Sequence, residues 1–241
     1  MKPSENDIVV FTDGASKGNP GAGGWGVVII HSKSEVIEFG GSAENVGNNQ
    51  MELKAAVRAL EYLSSIPGKI FVYTDSKYVI NGVESWLRGW LRNDWKTASG
   101  AEVRNIVLWK ELNKLLEDRK EKGEIKWCHV PGHSGVMGNE RADKIASSFA
   151  EKKKLSLFSG KYKDYPRKID FSKLGDLSSK KPAKKTKGAY SYLSMVDGKI
   201  EKHKTWKECE GRVKGSSGAK YKKAMSADQE KEIIQSWTSK N

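Results

Sequence analysis

The first 150 residues alternate between short apolar runs and longer stretches whose apolar residues recur every three or four positions. Four runs are rich in β-branched and aromatic residues and are bounded by Gly, Ser, Asp or Lys, a pattern typical of β-strands. These predicted strands lie at residues 8–12, 25–30, 36–39 and 70–74. Between the third and the fourth, residues 51–65 carry one apolar stripe and are predicted to form an amphipathic helix.

The rest of this region continues the alternation. We predict a second helix at residues 103–122, a fifth strand at 125–129 and a third helix at 138–150. Three consecutive strands followed by alternating helices and strands are typical of a mixed sheet with helices on its faces. The predicted architecture is therefore an α/β domain, residues 1–150, built on a mixed five-stranded sheet that is flanked by helices.

The chain beyond residue 150 falls into two parts. Residues 151–188 contain few large aliphatic side chains and carry 13 basic against 4 acidic residues, which predicts a basic flexible linker. In residues 189–241 an ordered pattern returns, with a hairpin around Asp197 and Gly198, a short helix, a strand and a final helix that begins at Ser226. This part is predicted to be a small C-terminal α/β module.

The positive charge of the chain is confined to its C-terminal part. Residues 1–150 hold 19 basic and 19 acidic residues, whereas residues 151–241 hold 24 and 11 and so account for the whole net charge of +13. A basic region beside a neutral domain is typical of a protein that binds a polyanion such as nucleic acid. From charge alone, a solvated lysine-rich linker is also an open interpretation.

The composition argues against a membrane protein, a secreted protein and a disulfide-stabilised protein. No apolar run approaches the roughly 20 residues that cross a bilayer, and residues 1–7 lack the apolar core of a secretory signal. Cys128 and Cys209 are far apart and lie in different predicted domains, so we expect neither a disulfide framework nor a cysteine metal site. We therefore expect a cytoplasmic protein without membrane association.

Four acidic residues occupy positions from which they could share one site. Asp13 and Asp75 end the first and fourth predicted strands, at a sheet edge where ligands of α/β folds bind. Glu52 lies beside the apolar stripe of the first helix, and Asp143 lies in the first turn of the last helix. Taken singly, each has an ordinary interpretation as a turn residue, a helix cap or a surface acid.

The sequence around these acids narrows the interpretation. In chain order, the four surrounding segments read TDGASKGNPGAGGWG, NNQMELKAAVRALE, VYTDSKYVINGV and HVPGHSGVMGNERADKIA. This series resembles the type 1 ribonuclease H family, and the resemblance covers nearly all of residues 7–150. It implies a ribonuclease H-like fold and an endonuclease that hydrolyses the RNA strand of RNA–DNA hybrids, leaving 5′-phosphate and 3′-hydroxyl ends.

The same resemblance implies a catalytic centre with two Mg²⁺ ions, for which Mn²⁺ is an alternative. The implied metal ligands are Asp13, Glu52, Asp75 and Asp143. Hard divalent cations prefer oxygen ligands, and two of them about 4 Å apart activate the attacking water and stabilise the leaving oxygen. His133, on the glycine-flanked loop PGHSG, matches the family's mobile histidine and is implied to transfer protons and to help product or metal leave.

Two competing interpretations of these motifs are weaker. A zinc pair of His129 and His133 is disfavoured because no third ligand converges and the intervening Pro131 and Gly132 break the helical spacing that such pairs use. The pattern G-x-G-x-x-G at residues 21–26 is followed by a predicted strand and not by a helix, so it lacks the phosphate-binding geometry of a dinucleotide site. A glycine-rich turn between paired strands is the better prediction.

The family's contacts to the RNA strand are matched by asparagines. Amide side chains both donate and accept hydrogen bonds, which suits recognition of 2′-hydroxyl groups. Asn19, Asn48 and Asn49 match these positions. Lys77 stands close to Asp75, where the family often places a polar residue, and is assigned to substrate binding as well.

The family's contacts to the DNA strand are matched by an aromatic and basic segment. Residues 86–96, WLRGWLRNDWK, match the basic protrusion of the family. We expect Trp86 to pack in the core and Trp90 or Trp95 to contact substrate.

A DNA-phosphate pocket is matched only in part. Asn105 matches one of its members. Asn45 and Gly47 stand where relatives often carry a basic residue and a threonine, so we expect this pocket to bind phosphate weakly.

A second resemblance concerns the C-terminal module. The segments TWKECEGRVKG and GAKYKKA resemble the small hybrid-binding module that many eukaryotic ribonucleases H carry at their N-terminus. Here the order of domains is reversed, and the hairpin is less basic because it contains Asp197 and Glu201. By resemblance, aromatic stacking and phosphate contacts are assigned to four residues. These are Trp206, Tyr221, Lys222 and Lys223.

Two alternatives to a hybrid-cleaving enzyme remain open at this point. One is a non-catalytic protein that binds hybrid or duplex RNA and retains the fold; loss of a metal-binding carboxylate would favour it, and all four carboxylates are present. The other is a nuclease of the same superfold that acts on DNA, which the asparagine pair before Glu52 disfavours. We expect a monomer whose partner is an RNA–DNA hybrid duplex.

Overall fold

The computed structural model describes residues 2–32, 34–132, 134–174, 190–224 and 227–238. They belong to two compact units that divide near residue 180. No helix among the described residues is both long and apolar enough to cross a lipid bilayer.

The first unit is built on a six-stranded mixed sheet. Its strands are β1 (Ile8–Gly18), β2 (Gly21–His31), β3 (Glu35–Val46), β4 (Ile70–Thr74), β5 (Ile125–His129) and β6 (Ser159–Lys161), in the spatial order β5-β4-β1-β2-β3-β6. β1, β2, β3 and β6 pair antiparallel, whereas β4 runs parallel to both β1 and β5. The five predicted strands are thus present. The sixth, β6, was missed because it is three residues long and lies in a basic stretch without apolar alternation.

Helices cover both faces of this sheet. They are α1 (Asn48–Tyr62), α2 (Lys77–Asn81), a π-helical turn (Gly82–Trp86), α3 (Leu87–Arg92), α4 (Ile106–Asp118) and α5 (Met137–Ala150). The apolar stripe of α1 packs with α4 and the alternate residues of β1 and β2 to form one core, which includes Leu53, Leu60 and Trp109. α5 packs with the opposite face of the sheet, where Phe11, Val28 and Ile145 form the second core.

The glycines of β2 allow α5 to lie directly on the sheet. A Cβ atom on Gly24 would stand 2.1 Å from the carbonyl oxygen of Ala146, and one on Gly26 would stand 2.3 Å from that of Ala142. Any side chain at either position would push the helix away. The glycine-rich motif lies within β2 and does not form the predicted turn; it serves helix–sheet packing and not a dinucleotide site.

Residues 151–174, assigned from the sequence to a flexible linker, are instead part of the first unit. β6 pairs with β3, and Tyr165, Ile169 and Leu174 are buried in the core beneath α5. The prediction was wrong because a few well-spaced apolar residues anchor a stretch whose average composition is basic. The remainder of the predicted linker, residues 175–188, lies outside the described residues.

The second unit has the order of elements that the sequence predicted. It comprises β7 (Ser191–Val196), β8 (Lys199–His203), α6 (Trp206–Val213), β9 (Lys220–Ala224) and α7 (Ala227–Thr238), with sheet order β8-β7-β9. Thr205 and Glu208 form a capping box that begins α6. Leu193, Ala224 and Ile233 form a small core. Ser226, the predicted start of the last helix, lies outside the described residues.

Candidate active site

Four carboxylates line one cleft at the edge of the first sheet. The cleft has a volume of about 380 Å³. The acids that line it are Asp13, Glu52, Asp75 and Asp143. The topology thus gathers residues that are up to 130 positions apart in the sequence, as the resemblance implied.

Parallel pairing of β1 with β4 brings the first two acids together. Phe11 is opposite Tyr73 in the register, and Asp13 and Asp75 each lie two residues further along. The backbone N–H of Gly14 donates a hydrogen bond to Asp13 Oδ1 at 2.7 Å, which fixes the orientation of this carboxyl group. Asp13 does not end its strand as predicted, because the pairing of β1 with β2 continues to Gly18, whereas β4 ends at Thr74. Asp13 and Asp75 therefore line the same cleft just beyond the end of β4.

Glu52 reaches the cleft because α1 lies close to β1. A Cβ on Gly14 would stand 2.1 Å from the backbone nitrogen of Glu52, so only glycine permits this approach. The Glu52 carboxylate accepts hydrogen bonds from Asn48 Nδ2, at 2.8 Å, and from the Ser76 hydroxyl. Ser76 also accepts from the Val79 N–H and begins α2. One serine therefore caps the helix that follows Asp75 and orients Glu52.

Asp143 lies in the second turn of α5 and not in the first turn as predicted, because the helix begins at Met137. Its Oδ1 accepts a hydrogen bond from the Ser147 hydroxyl, one turn later, at 3.3 Å. Asn139, one turn earlier on the same face, also lines the cleft. The Asn139 side-chain oxygen is buried and has no hydrogen-bond partner among the described residues. Both residues therefore face the volume that the other three carboxylates border.

Without bound cations, the environment of the cleft disfavours the ionised form of two of its carboxyl groups. Burial, followed by the charge of Asp75, raises the pKa of Asp13 from 3.8 to about 8. Burial also raises the pKa of Glu52, with a further contribution from Asp75. A buried cluster of like charges is stabilised by protons or by cations.

The donors of the cleft fit hard divalent cations. All four acids offer carboxylate oxygens, and Asn139 adds an unpaired buried amide oxygen, which is the ligand chemistry of Mg²⁺ or its bound water. Among the residues that the structure describes, no three His, Cys, Asp or Glu side chains are already arranged as ligands around one point. Like charges repel one another, so closer approach of the four carboxylates would require protons or cations.

Sequence reasoning missed several residues of this cleft. Two of them, Asn139 and Glu140, line the cleft, and the Ser76 hydroxyl donates a hydrogen bond to Glu52. The position of Asn139, four residues before Asp143, was a signal for a shared helix face. His133, the predicted proton-transfer residue, lies outside the described residues.

A second, neighbouring cleft holds the predicted RNA-strand asparagines. Its volume is about 360 Å³. It is lined by Asn19, Gly47, Asn48, Asn49, Gln50, Tyr78, Arg104 and Asn105. Asn48 also lines the carboxylate cleft, so the two clefts are contiguous at this residue. A Cβ on Gly47 would stand 2.5 Å from the Asn19 side-chain oxygen, so the Asn19 amide packs closely against this glycine.

Asn105 is fixed at the start of α4. Its backbone is left-handed, with φ of 59°, a conformation that asparagine tolerates better than most residues. Its Nδ2 donates to the Tyr78 hydroxyl at 3.2 Å, and the same hydroxyl accepts from Trp109 Nε1 at 2.8 Å. The exposed Arg104 beside it supplies a cation to a cleft whose other lining side chains are uncharged. Lys77 is exposed at the first residue of α2 and is not among the residues lining either cleft.

The tryptophans differ from the prediction in one respect. Trp86 is 37% exposed, not buried, and its ring lies 5.7 Å from that of Trp90. Trp109 occupies the core instead, where Gly82 leaves room for its ring. Trp86 and Trp90 line an apolar groove of about 590 Å³. Trp95 is half-buried, with Lys110 Nζ 5.6 Å from its ring centre.

An aromatic cluster lies on the surface of the second unit. The Trp206 ring is 5.9 Å from that of Tyr192 and 5.2 Å from that of Tyr221, and both Trp206 and Tyr221 are exposed. Lys223 pairs in register with Tyr192 and lies on the same sheet face as Tyr221. Lys222 alternates to the opposite face, beside Leu193. The structure thus brings together three of the four residues assigned to this module.

Comparison with known proteins identifies the family of residues 5–151. Residues 5–151 match the family model described as RNase H. The chain is 46% identical over 142 residues to a ribonuclease H of a Cyanothece species, covering 58% of this chain and 87% of that protein. It is 46% identical over 140 residues to ribonuclease HI of Neisseria meningitidis, covering 58% and 92%.

Solved structures share the fold. A type 1 ribonuclease H described as LC9-RNase H1 superposes with a TM-score of 0.55 at 22% identity, covering 72% of this chain and 86% of that one. The ribonuclease H domain of prototype foamy virus superposes with a TM-score of 0.52 at 25% identity, covering 61% and 96%. The matched family residues carry all four carboxylates. The chain therefore belongs to the ribonuclease H family, enzymes that hydrolyse the RNA strand of RNA–DNA hybrids.

Proposed function

We propose that the carboxylate cleft cleaves the RNA strand of a bound hybrid with two divalent cations, Mg²⁺ or alternatively Mn²⁺. The observation that carries this proposal is the convergence of four carboxylates in one cleft where burial and mutual repulsion raise the pKa of Asp13 to about 8. The residues that would hold the cations are Asp13, Glu52, Asp75 and Asp143. When bound, the cations supply an activated water and stabilise the leaving 3′ oxygen.

Hydrogen bonds from neighbouring side chains would orient two of these carboxylates. The Ser76 hydroxyl and the Asn48 amide both donate to Glu52, which fixes the orientation of its carboxylate before substrate arrives. Ser147 donates to Asp143 from the next turn of the helix. Gly132 lies close to the Asp75 carboxylate. His133, the next residue in the sequence, would accept or deliver a proton as the RNA bond breaks.

Discrimination of RNA from DNA would arise in the second cleft. Asn19, Asn48 and Asn49 present amide donors and acceptors beside the carboxylates, and only an RNA strand offers a 2′-hydroxyl to them. Arg104 and Asn105 would contact a backbone phosphate, so that Arg104 offsets the missing basic residue at Asn45. This favours a hybrid-cleaving enzyme over a nuclease that acts on DNA alone.

The Trp86–Trp90 groove would hold the DNA strand. Its surface is mainly apolar, and its lining includes two tryptophans and Lys96. Sugars and bases would stack on the rings while the cation contacts phosphate. Trp95 is less exposed than Trp86 and packs under Lys110, so we assign the direct contact to Trp86 and Trp90.

The second unit would add affinity for the duplex. Trp206, Tyr221 and Lys223 share one surface, which offers two rings for sugar or base stacking and a cation for phosphate. Lys222, on the opposite face, would contribute through long-range charge. This assignment follows the resemblance to hybrid-binding modules and the exposure of the two rings.

One assay tests the proposal. Wild-type chain is incubated with matched RNA–DNA hybrid, duplex RNA and duplex DNA, each with Mg²⁺, with Mn²⁺ and with a chelator. We expect cleavage of the hybrid alone, only with added cation, and products that a ligase joins because they carry 5′-phosphate and 3′-hydroxyl ends. Tight binding of hybrid without cleavage under every condition would favour the non-catalytic alternative, and cleavage of duplex DNA would favour a DNA nuclease.

A further inference from the structure

A buried acid lies on the face of the sheet that is covered by α5. Glu38, on β3, has a fully buried side chain. Arg141 of α5 binds it with two hydrogen bonds, from Nε to Oε1 at 2.8 Å and from Nη2 to Oε2 at 2.6 Å. Such a two-pronged pair fixes both distance and orientation, because the guanidinium and the carboxylate are planar.

The segment that follows α5 adds three hydrogen bonds to this pair, while Arg141 Nη1 is buried without a hydrogen-bond partner among the described residues. The Tyr165 hydroxyl donates to Glu38 Oε1 at 2.7 Å, and the backbone N–H of Phe158 donates to Oε2 at 2.9 Å. Arg141 Nη2 also donates to the carbonyl oxygen of Ser156 at 2.6 Å. We call Glu38, Arg141 and Tyr165 the clamp; it joins the sheet, the helix and the segment of residues 155–174.

The clamp acts on the helix that carries a metal ligand. Arg141 precedes Asp143 by two residues, which on an α-helix turns the side chains about 200° apart. Arg141 therefore anchors the back of α5 while Asp143 faces the cleft. Gly24 and Gly26 lie against the backbone of α5 and have no side chains. They therefore make no interlocking contact that would resist rotation of α5 about its axis. The clamp supplies the directional contact that they lack.

We infer that Tyr165 is a positioning residue for catalysis: through Glu38 and Arg141 it sets the rotation of α5 and so directs the Asp143 carboxylate toward the cation. The segment of residues 155–174 is then part of the catalytic unit, although the family match ends at residue 151. The inference rests on the proposed function, because it concerns the same cation site. It adds a residue that does not touch substrate or metal.

The test uses Tyr165→Phe in the full chain, which removes one hydrogen bond to Glu38 and keeps the ring. Tyr162→Phe is the matched control, because the Tyr162 hydroxyl donates to the Ile169 carbonyl oxygen in the same segment and not to the clamp. Mn²⁺ binding without substrate is measured by titration calorimetry, and the Mg²⁺ dependence of cleavage is measured at saturating hybrid.

We expect Tyr165→Phe to weaken Mn²⁺ binding. It should also raise the half-saturating Mg²⁺ concentration by about tenfold, which is the lower end of the effect of residues that orient metal ligands. KM for hybrid should be unchanged, and Tyr162→Phe should match wild type in both measurements. Ile169→Val controls for stability, since it loosens the buried segment without touching the clamp and should lower Tm while leaving cation binding unchanged.

The outcomes separate the two proposals. If Tyr165→Phe lowers Tm as Ile169→Val does and binds Mn²⁺ as wild type, the role is structural only and the inference is overturned, whereas the proposed function stands. A wild-type chain that neither binds Mn²⁺ nor cleaves hybrid overturns both. Glu38→Gln, which weakens both bonds to Arg141, should show a larger loss of cation affinity than Tyr165→Phe; a smaller loss in folded protein also overturns the inference.

Discussion

Asp13 and Asp75 each lie two residues beyond a pair, Phe11 and Tyr73, that is in register between parallel strands. Asp13 lies within β1 and Asp75 directly follows β4, so the pairing of these two strands brings the acids to one cleft. The Asp75 charge contributes, after burial, to raising the pKa of Asp13 to about 8. A neighbouring negative charge disfavours ionisation of a buried carboxyl group, and a bound cation favours it.

Asp75→Asn should abolish cleavage and preserve the fold and hybrid binding, because it removes a metal-ligand charge at a partly exposed strand end. It should also lower the pKa of Asp13, since one neighbouring negative charge is lost. Cleavage rate, hybrid affinity and the Asp13 pKa by NMR check these points. Asp118→Asn, at the exposed end of α4, is the control. Activity within about tenfold of wild type would exclude Asp75 as an essential ligand.

Asp13→Asn should stabilise the cation-free protein at alkaline pH while abolishing cleavage. The pKa of Asp13 is 3.8 when the side chain is solvated and about 8 in the fold, so the unfolded chain releases this proton first as pH rises. The free energy of unfolding of the wild type therefore decreases between about pH 4 and pH 8. Asparagine does not titrate, so the Asp13→Asn variant should not show this decrease.

Thermal unfolding in chelator at pH 5 and pH 8 measures this difference. The Tm advantage of Asp13→Asn over wild type should grow from pH 5 to pH 8, and saturating Mg²⁺ should restore the stability of wild type but not add to that of the variant. An advantage that is equal at both pH values would contradict the raised pKa.

His133→Ala should give a slower enzyme that still cleaves. A proton-transfer residue typically contributes about 10²–10⁴-fold, and metal-bound water can partly replace it. Single-turnover rates across pH check this, with Ser134→Ala on the same loop as the control. A loss as complete as that of Asp75→Asn would assign His133 to the metal centre instead.

The boundary of the catalytic unit is tested by two truncations. A chain ending at Ala150 loses β6 and the buried Tyr165 and Leu174, so its Tm should fall by roughly 10 °C, because each 1 kcal/mol shifts Tm by about 2–4 °C at this size. A chain ending at residue 180 should keep the wild-type Tm for the first unit. Equal Tm values for both truncations would mean that residues 151–174 contribute nothing to stability.

The second unit should govern binding more than chemistry. The chain ending at residue 180 should raise KM for hybrid more than it lowers kcat, and each lost phosphate contact should flatten the slope of log affinity against log salt by about 0.9. In the full chain, Trp206→Ala with Tyr221→Ala leaves the net charge unchanged. If this double variant binds hybrid as tightly as wild type while truncation weakens binding, the unit acts only through its charge.

The sequence by itself determined the chemistry of the active site. Asp13, Glu52, Asp75 and Asp143 each stand in a local motif whose element could be predicted from apolar periodicity, and local patterns also predicted the hairpin and helices of the second unit. These features depend on residues that are neighbours along the chain, which is the range over which strand alternation, helical spacing and turn chemistry act.

Only the tertiary structure decided the features that depend on distant contacts. Trp86 and Trp109 both lie in helical segments, yet Trp109 is buried against Gly82 whereas Trp86 is exposed. Glu38 and Arg141 are separated by 103 residues, and nothing in either local pattern marks them as a buried pair. The basic composition of residues 151–174 gave no indication that Tyr165 is buried. Its burial depends on the surface that α5 and the sheet provide, and not on average composition.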